Sequence, residues 1–240
     1  MKKLVAFAGF SLLAVGAFAQ TNLQVFYDFG ENRKMTTTTL EMFKGDDWGS
    51  TFFFVDYNYA NKDLHDINVY GTQSTYMEIE RALNFWKDTQ LGDLSAHVEF
   101  QAGNFGAGIS ARNWLFGAEY LLHNADFSNT FTIALLYKHY TNSNASDTPI
   151  QISGVWGMQD IFGVEGLRFS GFFDFWGENR DWTLTDKTSW KFLSEPQLWY
   201  KVGQFFDCPN LNVGGEVELS YNFRDKGFVC NPCLGVKWEF

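Results

Sequence analysis

Apolar and polar residues alternate along segment after segment of this chain, and this period of two constrains the fold more than any other feature. Successive side chains of a β-strand point to opposite faces, so such alternation predicts strands with one apolar and one polar face. Between Leu211 and Phe223 the odd positions are apolar, aromatic or glycine, and the even positions are polar or glycine. The same rhythm runs from Leu94 to Ala102. The chain is therefore predicted to be all-β.

Soluble sandwiches also alternate, but three details favour an antiparallel transmembrane β-barrel. Several segments run for ~9–11 residues, the length that a tilted membrane strand needs, whereas soluble strands usually have ~5–6. Short and long connections alternate, as periplasmic turns and extracellular loops do. Aromatic residues lie near the ends of the apolar faces, as in the girdles at bilayer interfaces. These aromatic residues are Tyr57, Tyr59, Trp114, Tyr137, Tyr221 and Phe223.

The pattern predicts about 12 strands in one domain, with ten or fourteen as alternatives. The strands are placed at 22–30, 36–44, 49–60, 74–84, 94–102, 112–123, 129–139, 150–157, 166–176, 190–202, 211–223 and 228–240. Long connections are placed at 61–73, 103–111, 140–149 and 177–189. With the amino terminus in the periplasm, all four would lie outside the cell. An even strand number would return the carboxyl terminus to the periplasm.

The first nineteen residues have the features of a cleaved secretory signal peptide. Lys2 and Lys3 give a basic start, residues 4–18 are apolar or small, and Ala17-Phe18-Ala19 is a small-residue cleavage site. A membrane anchor is the alternative, but the apolar run falls short of the ~20 residues that a spanning helix needs. Residues 20–240 are then the barrel domain, located in the outer membrane of a Gram-negative cell.

The carboxyl end supports this location. Leu234, Val236, Trp238 and Phe240 alternate with other residues, and Phe240 is the last residue of the sequence. Bacterial outer-membrane barrels commonly end in such an aromatic strand, which their assembly machinery reads. The barrel assembly machinery and outer-membrane lipid are therefore expected partners.

The charge balance excludes one class of partner. The formal net charge is −10, and removal of Lys2 and Lys3 leaves 16 basic against 28 acidic residues, or −12. No basic stripe is present to neutralise phosphates, so nucleic acid is not an expected partner. Aromatic residues make up 19% of the chain, a content incompatible with disorder.

Four short segments, in order along the chain, resemble the Tsx-like family of nucleoside-specific outer-membrane channels. They are residues 39–44 followed by Asp47-Trp48, residues 76–81, residues 113–116 and residues 171–177. The Met-Glu-Ile-Glu sequence at 77–80 is the most specific of them. The resemblance implies a twelve-stranded barrel through which nucleosides or similar small solutes diffuse.

The polar faces provide the candidate pore lining. Eight-stranded barrels are filled by side chains and barrels of sixteen to eighteen strands hold a wide channel, so twelve strands should leave a narrow pore. A Lys or Arg facing lipid at mid-membrane would cost ~2–4 kcal/mol, which favours the lumen for charged side chains. The predicted pore-lining residues are Phe26, Asp28, Glu41, Phe43, Phe52, Phe54, Asp56, Glu78, Glu80, His97, Glu99, Arg168 and Asp174.

Two roles remain open for these residues. Inward Phe side chains offer stacking faces to a planar ring, and nearby acids could bind its polar edge. Alternatively, the charges form ion pairs that brace the barrel, and the Phe side chains fill a plugged interior.

Other functions have weaker signals in the sequence. A barrel enzyme acting on lipid would need a Ser beside a His, and no Ser motif accompanies His97 or His139. A structural barrel without a pore is a further alternative.

Asp63–Asp66 reads as a solvated loop, and no cofactor or metal is expected. Cys230 and Cys233 could form a disulfide only if Pro232 kinks the strand, because positions three apart face opposite sides.

Overall fold

A computed structural model describes residues 20–31, 33–66, 70–105, 110–141, 146, 148–178, 190–223 and 225–240. The strands are β1 (Gln20–Asp28), β2 (Thr36–Asp46), β3 (Gly49–Tyr59), β4 (Thr72–Leu83), β5 (Leu94–Asn104), β6 (Ser110–His123), β7 (Asn129–Tyr140), β8 (Ile150–Met158), β9 (Leu167–Gly177), β10 (Trp190–Ser194), β11 (Gln197–Tyr200), β12 (Leu211–Tyr221) and β13 (Phe228–Glu239). A one-turn helix, α1, spans Lys62–His65, and short 3-10 turns span Ile161–Gly163 and Val202–Phe205. The predicted signal peptide, residues 1–19, lies outside the described residues.

The strands form one antiparallel sheet that closes on itself. From β1 to β10 each strand pairs with the next one in the chain, and β13 pairs with both β12 and β1. Val236 of β13 lies opposite Val25 on one side and Val213 on the other. The short strands β10 and β11 share one position, since both pair with β9 and with β12. The predicted twelve-stranded barrel is therefore confirmed, with twelve positions built from thirteen strand segments.

The predicted single strand at 190–202 is wrong in one respect, because it breaks at Glu195–Pro196. Proline has no N–H for the sheet, so within strands it is confined to edges and bulges. The Glu195 N–H donates to the Phe172 carbonyl at 3.1 Å, and the Pro196 carbonyl accepts from the Val217 N–H at 3.0 Å. Gly171 has a φ of +152°, and a Cβ there would lie 2.4 Å from the Glu195 carbonyl oxygen. Only glycine fits opposite this bulge.

The two faces of the barrel have opposite character. On β1 the outward Leu23, Val25 and Tyr27 are 37–44% exposed, whereas the inward Gln24, Phe26 and Asp28 are buried. The outward face is apolar on every side of the barrel. Its exposed residues include Leu40, Tyr57, Ile79, Trp114, Phe116, Leu135, Tyr137, Ile152, Phe175, Leu198, Val213, Tyr221 and Val236. Phe223 departs from the predicted girdle, since its ring contacts the inward-facing Trp176 at 5.7 Å.

The two ends of the barrel differ less than predicted. We call the outer end the one that bears the connection between β1 and β2, and the inner end the opposite one. The connections at 60–71, 105–109, 141–149 and 178–189 share the outer end, as the prediction required. However, the inner end also has two long connections, at 84–93 and 201–210. In the described part of the chain, no helix has the length and apolar character needed to cross a bilayer.

Candidate functional site

The strand register places all the predicted pore-lining residues on the inward face of the barrel. Residues that lie opposite one another on adjacent strands face the same side of a sheet. The pairings from strand to strand therefore put these residues on the same face as the buried Phe26. Acids outnumber bases on this face. The inward acids of the strands are Asp28, Glu41, Asp56, Glu78, Glu80, Glu99, Glu119, Asp174, Glu216, Glu218 and Glu239, and the inward bases are His97, Lys138, Arg168, Lys191 and Lys237.

A row of aromatic rings follows the wall formed by β3, β4 and β5. We call Phe52, Phe54, Tyr76 and Phe105 the aromatic ladder. Successive ring centroids lie 6.1, 5.9 and 6.2 Å apart, within the range of favourable ring contacts. All four rings are half-buried, so each keeps part of its surface accessible. The ladder leads from the inner half of the lumen to the connection at the outer end.

Two rungs of this ladder were not among the predicted pore residues. Tyr76 precedes Glu78 and Glu80 at the same period of two, so the alternation already pointed to it. Phe105 comes directly after β5, outside the alternating segment, so the sequence pattern does not predict the direction of its side chain. Phe43, which was predicted, lies directly opposite Phe52 on β2 and is also half-buried.

Four carboxylates meet beside the ladder, and we call Glu78, Glu80, Glu99 and Asp174 the acidic cluster. Asp174 lies on β9, nearly opposite β4, yet its charge is close enough to interact with that of Glu78.

Neutral donors hold most of the cluster in place. Gln101 Nε2 donates to Glu99 at 2.6 Å and to Glu78 at 3.0 Å, and the Ser153 hydroxyl donates to Asp174 at 2.5 Å. The Tyr76 hydroxyl also donates to Glu78, at 2.5 Å, which joins the cluster to the ladder.

His97 is a structural brace in this arrangement. Its Nδ1 lies 2.5 Å from Glu119 and its Nε2 lies 3.3 Å from Glu99. Both ring nitrogens thus contact carboxylates. The ring is only 5% exposed, so little of it is accessible from the lumen. Such a contact matches the bracing role that the sequence left open for the inward charges.

The opposite wall is packed. The Phe26 and Trp199 rings meet at 5.5 Å, and Lys237 Nζ lies 4.3 Å from the centre of the Trp199 ring. Inward-facing Gly214 and Gly235 make room for these rings, since a Cβ at Gly235 would lie 2.6 Å from the Phe26 ring. Phe26 is 3% exposed and Trp199 is 1% exposed. The face that Phe26 was predicted to offer to a solute is therefore covered by Trp199.

The inner half of the lumen keeps accessible space. Val155 faces inward, opposite Thr132 and Phe172, and is 48% exposed. Arg168, another predicted pore residue, faces the same half and is partly exposed. An apolar inward residue with this exposure indicates that side chains do not fill the barrel at this level.

An arginine from the first outer connection occupies the outer mouth. Arg33 Nε lies 2.5 Å from Asp28 and its Nη1 lies 2.7 Å from Glu218. Burial lowers the pKa of Arg33, but the carboxylates of Glu218 and Asp28 outweigh that effect, and the pKa is raised overall. Asp28, predicted as a solute contact, is thus engaged in an ion pair and also accepts from the Gly30 N–H at 2.7 Å.

The remaining candidate sites have no catalytic arrangement in the described ranges. His139 lies on the outward face opposite Trp114, two strands from His97, which faces the lumen. Cys230 is exposed on the outward face and Cys233 is buried on the inward face, and both are free. The alternative of a disulfide between them is therefore wrong, because the strand continues regularly through Pro232. Within the described residues, no group of three or more His, Cys, Asp or Glu side chains has an arrangement that could hold a metal ion.

Comparisons with known proteins give a family and distant structural likenesses. A family model described as a domain of unknown function (DUF5020) matches residues 19–240, whereas no curated protein sequence matches the chain. A structure from work on in-meso crystallization of membrane proteins aligns with 8% identity and a TM-score of 0.47, over 92% of this chain and 83% of that chain. The OccAB3 structure from Acinetobacter baumannii aligns with 10% identity and a TM-score of 0.37, over 92% and 98% of the two chains. Because both TM-scores are below 0.5, the assignment of a barrel depends on the strand pairing described above and not on these alignments.

Proposed function

The chain belongs to the DUF5020 family, a domain of unknown function, and we propose that it is an outer-membrane channel for small solutes with planar rings, nucleosides among them. The aromatic ladder is the observation on which this proposal depends. Aromatic side chains are normally packed or placed at bilayer interfaces, and four half-exposed rings in line along a polar lumen favour contact with solutes that pass.

The outward surface supports the location in a membrane. Soluble monomers rarely expose apolar patches larger than a few hundred Å², whereas here the apolar face surrounds the barrel. Closure between β13 and β1 also leaves no unpaired strand edge, as a bilayer requires. Outer-membrane lipid is therefore the proposed partner of this surface.

The ladder and the acidic cluster together fit a nucleoside. A base can stack on Phe52 or Phe54, because every base has a π-face. The carboxylates of Glu78 and Glu80 can accept hydrogen bonds from ribose hydroxyls or from amino groups of the base. The excess of acids should repel anions of the same size. Binding must stay weak, since a channel that holds its solute tightly is blocked by it.

A barrel without a pore, or one that acts on lipid, is the competing function. The accessible space beside Val155 favours the pore. The decisive experiment measures flux into liposomes that contain the full barrel, with adenosine, ribose and adenosine monophosphate at equal concentration. We expect adenosine to enter fastest and the monophosphate slowest. Equal rates for adenosine and ribose would remove the support for ring selection, and no flux of any solute would favour the barrel without a pore.

A further inference from the structure

The two ends of the connection between β1 and β2 pack into the outer mouth of the lumen, and the Arg33 side chain lies there too. Met35 and Gly30, at its two ends, are both buried, and a Cβ at Gly30 would lie 2.2 Å from the Asn231 side-chain oxygen. The Arg33 side chain between them is 14% exposed. Asn61 Nδ2 donates to the Arg33 carbonyl at 3.0 Å, and this contact holds the backbone from the neighbouring connection.

The guanidinium of Arg33 lies among carboxylates from three parts of the barrel. Asp28 ends β1, Glu218 lies on β12, and the two ion pairs therefore join elements that are far apart in sequence. Glu216 of β12 and Glu195 of the bulge are close enough for their charges to interact with the same group. Asn231 Nδ2 donates to Glu218 at 3.0 Å and Gln197 Nε2 donates to Glu216 at 2.9 Å, so these carboxylates are held in position independently of Arg33.

A cavity of about 260 Å³ opens beside this arginine at the outer end. The cavity is lined by Glu31, Arg33, Lys34, Asn61, Lys62 and Asp63. Arg33 therefore contributes both to this cavity and to the ion pairs of the outer mouth.

We propose that Arg33 is a built-in occupant of a cation site at the outer mouth, and that guanidinium or amine groups of small solutes compete with it for Asp28 and Glu218. A solute cation makes the same charge-assisted hydrogen bonds as the side chain that it displaces. Displacement frees the Arg33 side chain from the lumen and opens the mouth. The opening step rests on the proposed channel function, whereas the occupied cation site stands on the ion-pair geometry alone.

Chemical rescue tests the site. Arg33→Ala empties it, and methylguanidinium is the soluble probe for the missing group. The control is Lys87→Ala, which removes an equal charge from an exposed position of the inner end. In detergent, we expect methylguanidinium to raise the unfolding temperature of Arg33→Ala saturably, because a ligand that binds only the folded state stabilises it. The native protein and Lys87→Ala should show no such rise. An equal response in all three proteins would overturn the proposal.

Single-channel recording tests the opening. Arg33→Ala should conduct more than the native protein, and methylguanidinium should leave that conductance high, because a free cation fills the site without holding the backbone of Arg33. Glu218→Gln removes one carboxylate of the site and should also raise conductance, with or without methylguanidinium. If Arg33→Ala does not fold, Glu218→Gln alone tests the opening. Native-like conductance in that variant would contradict the proposal that the Arg33 ion pairs keep the mouth closed. A native protein that conducts nothing would instead contradict the channel function, while the unfolding experiment still decides the cation site.

Discussion

Inward-facing aromatic residues in this barrel differ in what covers them, and this coverage decides what each can do. Phe26 is covered by Trp199 and is 3% exposed, whereas Phe52 and Phe54 meet their neighbouring rings at tilted angles and are only half-buried. The period of two predicts the direction of all three side chains. It does not predict coverage, because coverage depends on residues of distant strands.

The ladder rings should therefore control selection among solutes. We expect Phe52→Ala combined with Phe54→Ala to weaken the interaction with adenosine by about 1 kcal/mol or more, since stacking of a base on an aromatic side chain is worth ~1–3 kcal/mol. The measurement is the concentration of adenosine that half-blocks the ion current through a single channel. Phe53→Ala is the matched control, because Phe53 lies between them and faces outward. Equal loss in the control would show that the effect comes from the fold.

Phe26 should behave in the opposite way. Truncation of a buried Phe to Ala typically costs ~3–5 kcal/mol of stability through lost contacts and a cavity. We expect Phe26→Ala to lower the urea concentration at which the barrel unfolds, with little change in the preference for adenosine over ribose. A variant with native stability and no preference would instead place Phe26 in the solute path.

At the level of single residues, the sequence predicted the inward set but not its partners. Glu78 and Glu80 are placed by alternation alone, and the structure puts them where the pattern does. Arg33 belongs to a connection without any period, so neither its turn into the lumen nor its ion pair with Glu218 could be foreseen. Contacts between residues that are 185 positions apart follow from closure of the barrel.

Strands were predicted well because length, period and turn residues agree along most of the chain. The break in the strand at 190–202 had a visible cause, since Pro196 cannot donate to a sheet. Glycines within strands carry information that alternation hides. Gly214 and Gly235 interrupt the polar face of their strands, and the structure shows that they seat the Trp199 and Phe26 rings.

Gly214 should tolerate no side chain. A Cβ there would lie 2.1 Å from the Leu198 carbonyl oxygen and 2.7 Å from the Trp199 ring, so backbone and ring would both have to move. We expect Gly214→Ala to lose about 1–3 kcal/mol of stability, as overpacked sites do. The measurement is the urea midpoint of the transition between folded and unfolded bands on a gel. Gly45→Ala, whose added Cβ meets nothing closer than 4.0 Å, should unfold like the native protein.

For the whole molecule, the relevant quantity is the balance of charge along the lumen. The acidic cluster combines neighbouring carboxylates of β4 and β5 with Asp174 of β9, and in the proposed channel its field would act on ions that pass. Composition alone gave the sign of this field. Its concentration at one level follows from the register of β4, β5 and β9, which composition cannot supply.

The cluster should make the channel cation-selective. In a potassium chloride gradient, we expect the native reversal potential to lie on the potassium side, and Glu78→Gln combined with Glu80→Gln to shift it toward zero. Asp88→Asn combined with Glu165→Gln removes the same charge from exposed positions of the inner end. This control should keep its selectivity at physiological salt, where the screening length is ~8 Å. A shift of equal size in the control would assign the selectivity to net charge instead of the cluster.

Closure of the barrel depends on β13, which completes the sheet on both sides. Its last residues are held by two backbone hydrogen bonds, from the Phe240 N–H to the Thr21 carbonyl at 2.9 Å and from the Glu239 N–H to the Asn210 carbonyl at 3.0 Å. Phe240 is 72% exposed on the outward face, so its ring contributes little packing inside the protein.

We expect Phe240→Ala to reduce insertion into the outer membrane of cells, and deletion of Trp238–Phe240 to abolish it, because the terminal strand is the proposed contact for the assembly machinery. The yield of folded protein in the membrane fraction, by heat-modifiable gel mobility, measures this. Phe228→Ala is the matched control, since Phe228 is 67% exposed at the other end of the same strand. Normal insertion of the deletion variant, or equal loss in Phe228→Ala, would show that assembly does not depend on the terminal aromatic residue.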